Sequence, residues 1–101
     1  MIVGVMVGTV ARGKFEEALD SIRRTVAYYE NNLGIKPGVW RPATGPGSGS
    51  TIMFACTWDS YAARERILKQ RDGDPAWKEL QKENLQKGSF EKTEVYIYEA
   101  L

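Results

Sequence analysis

Six side chains could hold and polarise a small apolar molecule: Tyr29, Trp40, Arg41, Trp58, Tyr96 and Tyr98. Phenol and indole rings give flat apolar walls, each with one polar handle. A guanidinium offers a permanent cation to a substrate carbonyl or a developing oxyanion. Histidine is absent, which removes Ser–His and Cys–His dyads, proximal-His haem ligation and most transition-metal sites. Proton transfer, if there is any, falls to Tyr, Arg or carboxylates. The single cysteine, Cys56, cannot form an internal disulfide, which suits the reducing cytoplasm. It stands between Phe54 and Trp58 with no cation nearby in sequence to activate it, so it reads as inert packing.

Three weaker patterns fail on context. Gly45-x-Gly47-x-Gly49 lacks the strand-to-helix setting of a dinucleotide loop, and Ser50 stands at the place of its last glycine. Ser89-x-x-Lys92 precedes a strand rather than opening a helix. Asp72-Gly73-Asp74 lacks the further spaced carboxylates of a calcium loop. Neither a metal nor a cofactor is expected.

The elements that must position the six residues are legible. Residues 2–10 are rich in Val, Ile and Met and predict a first strand. From Lys14 the apolar period changes: Phe15, Ala18, Leu19, Ile22, Val26, Tyr29 and Leu33 form one helical stripe, with Glu16 and Glu17 in the first turn and Gly34 at the far end. Val39–Thr44 predicts a short second strand, and Pro42, lacking an N–H, assigns it to an edge. Gly45–Ser50 reads as a hairpin tip and Thr51–Trp58 as a third strand. Asp59 or Ser60 can cap the next helix, which runs to about Arg71. Gly73 breaks it, Asp74 and Pro75 restart it, and Lys87 and Gly88 close the second segment. Thr93–Leu101 is the last strand. The order is β-α-β-β-α-β, a ferredoxin-like α+β arrangement with a four-stranded antiparallel sheet, in one domain spanning residues 1–101.

The strands carry a second message. A sheet wetted on one side alternates apolar and polar residues, yet Val3, Val5 and Val7 accompany Ile2 and Met6, and Ile52–Cys56 and Val95–Tyr98 are apolar on both faces. Helices can cover one face only. The other is predicted to meet a second copy of the same sheet, giving a homodimer. Net charge is +1 with both signs interleaved, so no basic stripe for nucleic acid is seen. The apolar N-terminal run is too short to span a membrane.

Residues 57–80 add a resemblance. Trp58-Asp59-Ser60, Arg64-Glu65 and Asp74-Pro75-x-Trp77 are similar to the signature of the NIPSNAP-like branch of the dimeric α+β barrel superfamily. Cys56 departs from it, at a position often aromatic in that family. The resemblance implies the dimeric barrel, and no haem or quinone chemistry. From the residues themselves, Asp74, Pro75 and Trp77 follow helix-start logic. Glu65 can pair with Lys69 one turn on, while Arg64 reaches to the sheet, the second half-helix or a partner subunit.

Two functions remain open. In one, the chain is a small homodimeric module that is non-catalytic or binds a small hydrophobic ligand. Its aromatics then line a pocket, with room left by Gly4 and Gly8 on one face of the first strand and Arg41 or Arg12 at the mouth. In the other, it is a cofactor-free monooxygenase- or isomerase-like enzyme in which Tyr29, Tyr98 or Arg41 polarises a carbonyl. The same aromatics would equally serve as core and interface anchors.

Overall fold

Nine uncharged residues, Ile2–Val10, form β1, and this strand sits inside the sheet rather than at its edge. A computed structural model describes residues 1–101. Around β1 the chain adds α1 (Phe15–Tyr28), β2 (Gly38–Trp40), β3 (Thr51–Trp58), α2 (Tyr61–Asp72), α3 (Pro75–Lys87) and β4 (Phe90–Glu99). The four strands run in the order β2-β3-β1-β4, all neighbours antiparallel. This is the ferredoxin-like α+β fold read from the sequence.

Local chemistry sets the element boundaries. Ser60, not Asp59, caps α2: its hydroxyl accepts from the Ala63 N–H at 3.1 Å. Asp74 caps α3 through the Ala76 N–H at 2.9 Å, and Pro75 takes the first helical position. Gly34 and Gly88 close their helices at φ 67° and 59°, backbone that a side chain would strain.

Three elements differ from the sequence reading. The first helix does not continue regularly to Leu33, because Tyr29–Leu33 widens into a π turn. That turn coincides with two consecutive tyrosines, Tyr28 and Tyr29, both buried, although neighbours on a regular helix point about 100° apart. The second strand stops at Trp40 rather than Thr44, since Pro42 has no N–H to donate to a ladder. The last strand runs Phe90–Glu99 rather than Thr93–Leu101. Glu91 and Lys92 hide it from an apolar pattern, yet the β1 ladder extends through Thr9↔Lys92 to Val10↔Phe90, with an irregularity between them.

Pleating sorts the side chains. Ile2, Val10, Ile52, Phe54, Cys56 and Trp58 face the helices and form the core with Ala18, Ile22, Tyr28, Tyr29 and Trp77. Each large side chain fully buried here contributes roughly 1.5–3 kcal/mol. The alternate residues face away: Val5 lies between Ala55 and Tyr96, Val3 beside Tyr98, and Trp40 opposite Met53. No helix covers that face, and Trp40, Tyr98 and Tyr96 are 66%, 57% and 44% exposed.

Candidate functional site

A cavity of about 530 Å³ lies between the helix-facing side of the sheet and helices α1, α2 and α3. Phe54, Cys56 and Trp58 of β3 and Gly4 and Met6 of β1 contribute to its floor. Leu68 of α2 and Trp77 of α3 contribute to its walls, and Tyr29 enters from the end of α1. A separate depression of about 560 Å³ on the outer side of α3, between Asp72 and Gln86, is an open surface hollow with five polar or charged residues among its seven. The sheltered cavity is the one with chemistry.

Two arginines reach it from α2, seven residues apart and therefore on one face of the helix. Arg71 is fully engaged. It donates to the Tyr29 hydroxyl at 2.7 Å and to Asp72 at 3.0 and 2.8 Å, and its guanidinium lies 4.5 Å from the centre of the Trp77 ring. Arg64 forms no ion pair. Its Nε hangs over β1, 3.6 Å from where a Cβ on Gly4 would sit, and the Trp58 indole nitrogen is 3.2 Å from that point.

The thiol of Cys56 lies within the field of both arginines. Burial pushes it up to about 11, against the opposing pull of Arg71 and Arg64. It is therefore a neutral, apolar part of the floor near pH 7, as the sequence implied. Burial likewise raises Tyr29, opposed by the Arg71 cation and its hydrogen bond, so its hydroxyl remains a phenol. Ser21 and Ser89, each 2% exposed, also border the cavity, and neither hydroxyl has a hydrogen-bond partner.

The sheet separates the six residues singled out in the sequence. Tyr29 and Trp58 border the cavity. Trp40, Tyr96 and Tyr98 stand on the opposite face. Arg41 is exposed just beyond β2, 5.8 Å from the Phe15 ring centre. A single pocket holding all six is thus corrected to two surfaces. The space expected above the first-strand glycines is corrected too. A Cβ on Gly8 would lie 2.5 Å from the Phe90 ring, so an internal side chain fills that position, and Gly4 makes way for the Trp58 indole. Glu65 and Lys69 form no ion pair. Of the three reaches open to Arg64, the structure takes the one to the sheet. Arg71, Ser21 and Phe90 escaped the sequence reading as cavity residues, and Ser89 was weighed only as part of a Ser–Lys pattern, although the i, i+4, i+7 spacing of Arg64, Leu68 and Arg71 was a usable sign of a shared face.

No protein-family model matches the sequence, and no curated protein does so. Solved structures do match. A NIPSNAP domain protein from Burkholderia xenovorans superposes with a TM-score of 0.75 at 20% identity, over 100% of this chain and 95% of that one. A NIPSNAP family protein from Agrobacterium tumefaciens gives 0.80 at 20% identity, over 99% and 85%. SnoaB, a cofactor-independent oxygenase from Streptomyces nogalater, gives 0.68 at 18% identity, over 98% and 91%. The chain therefore has the ferredoxin-like α+β fold that these NIPSNAP proteins share.

Proposed function

We propose that this chain is a homodimeric, single-domain binding protein for a small hydrophobic ligand, held between the sheet and helices α2 and α3. The cavity carries this reading. Its volume falls within the range of pockets for drug-sized molecules, and its floor and walls combine Phe54, Trp58, Met6 and Leu68 with a few polar groups. Dimerisation covers the other face, where Trp40, Tyr96 and Tyr98 stand exposed beside Val3 and Met53. Tyr96, Tyr98 and Trp40 then act as interface anchors rather than cavity walls. The free thiol of Cys56 fits a reducing compartment such as the cytoplasm. A charge near neutrality gives no footprint for nucleic acid, and no helix is long and apolar enough to cross a membrane.

Titration with the neutral fluorophore N-phenyl-1-naphthylamine tests this. The wild type is expected to bind one probe per subunit, and Leu68→Trp, which fills the cavity from α2, to abolish binding without altering the circular dichroism. Binding that survives Leu68→Trp at full strength places the probe elsewhere and overturns the reading.

The likeness to SnoaB favours a second reading, a cofactor-free oxygenase acting on an apolar compound in the same cavity. There Tyr29, with Arg71 donating to its oxygen, is the hydroxyl placed to donate to a bound carbonyl. Oxygen uptake that depends on Tyr29 as well as on the added compound supports this reading. Uptake unchanged in Tyr29→Phe removes it.

A further inference from the structure

We propose that the cavity selects an acid: an apolar ligand whose anionic group is bound by Arg64 and whose other end meets the hydroxyls of Ser21 and Ser89. This rests on the ligand-binding reading above and narrows it to a chemical class.

Three observations converge. Arg64 borders the cavity and is the cation there without a counter-charge, since Arg71 is occupied by Tyr29 and Asp72. An unpaired guanidinium beside apolar walls is unfavourable, and a bound anion relieves it through charge-assisted hydrogen bonds. Arg64 reaches down onto the floor: its Nε lies 3.6 Å from where a Cβ on Gly4 would sit, ordinary contact distance. At the far end, two hydroxyls that are 98% buried lack any partner. Native proteins seldom leave such groups unsatisfied, so a polar group on the occupant completes them.

Charge is also distributed the right way along the cavity. The bordering carboxylate, Glu91, follows Phe90, which lies over Gly8, and the neighbouring Lys92, which also borders the cavity, is held by Glu94 at 3.1 Å. Four strand residues, roughly 13 Å, separate Gly8 from Gly4 and Arg64. The anion therefore binds at the Trp58 end, away from Glu91, with the apolar body along Met6 and Leu68 toward the serines.

The experiment pairs two probes of similar shape: 1-anilinonaphthalene-8-sulfonate, which carries an anion, and neutral N-phenyl-1-naphthylamine. Both are titrated by fluorescence against the dimeric protein and its Arg64→Gln and Arg64→Lys variants. The wild type is expected to prefer the sulfonate. Arg64→Gln should weaken it about tenfold, equivalent to about 1.4 kcal/mol, and leave the neutral probe unchanged. Arg64→Lys should keep much of the preference. Equal affinity of the wild type for both probes overturns the proposal while leaving the ligand-binding reading intact, as does a sulfonate affinity untouched by Arg64→Gln. Failure of both probes to bind the wild type overturns that reading, and the proposal with it. The wild-type comparison decides even if Arg64→Gln does not fold.

Discussion

Alkylation of Cys56 offers a quantitative check on the electrostatics of the cavity floor. Its thiol is raised from the ordinary 9.0 to about 11, and only the thiolate attacks iodoacetamide. At pH 8 an ordinary thiol is about one-tenth ionised, whereas Cys56 should be ionised to about one part in a thousand. Native protein should therefore react roughly 100-fold more slowly than a model thiol before any allowance for its burial. Its rate should climb about tenfold per pH unit and level off only near pH 11. Arg71→Gln separates charge from packing. Burial raises the thiol while Arg71 and then Arg64 oppose it, so losing Arg71 raises the thiol further and slows alkylation at fixed pH. Loosened packing would speed it. The sign for stability follows from linkage: the unfolded thiol ionises near 9 while the folded one holds its proton to about 11. This contribution is complete below pH 9 and lost as pH rises toward 11. A native-state rate profile with its midpoint near 9 would refute the account of Cys56 as a buried floor residue.

Other substitutions probe other links. Gly8→Ala sets a Cβ 2.5 Å from the Phe90 ring and should cost about 1–3 kcal/mol by overpacking, read as a fall in thermal midpoint; adding Phe90→Leu should recover part of it. Ser60→Ala should cost about 1 kcal/mol in urea unfolding, while Asp59→Ala costs little, and the reverse order would reassign the cap of α2. Tyr29→Phe leaves a partly buried Arg71 N–H without its acceptor and should lower stability by about 1–3 kcal/mol, measured the same way. Val5→Lys puts an ammonium at the centre of the uncovered sheet face, between Ala55 and Tyr96. Burying it in both copies costs several kcal/mol per ion, so light scattering should find a monomer where the proposed wild-type dimer is expected; a persistent dimer would mean another interface.

The element order was readable because each turn of phase in the apolar pattern coincides with a residue that enforces it: Ser60, Gly73, Asp74 with Pro75, and Gly88. Boundaries were missed where tertiary pairing overrode pattern. Lys92 belongs to β4 because Thr9 pairs with it, which no window of residues 90–93 reveals. The cavity was legible in kind but not in membership. Aromatics on strands announce a wall without stating its side, because side chains two apart share a face and the face toward the helices is set by the whole sheet. Tyr96 and Tyr98 thus fell opposite Trp58. Arg64 had three reaches open to it, the sheet, the second half-helix or a partner subunit, and only the folded chain, with its Nε above Gly4, shows which one it takes.

The placement of β1 has a consequence for how the chain reaches this state. Its two ladders join it to β3 and to β4, and in the second Ile2 meets Glu99 across nearly the whole length of the sequence. Within this domain the strand earliest in the sequence therefore completes its pairing with the strand latest in it. Until then a stretch that is apolar on both faces has one open edge, the situation in which nascent chains are drawn into mispairing. Such long-range closure slows folding relative to a chain held by local contacts. The charged residues Glu91, Lys92, Glu94 and Glu99 on β4 would then protect solubility during the wait, as gatekeepers against pairing between incomplete copies.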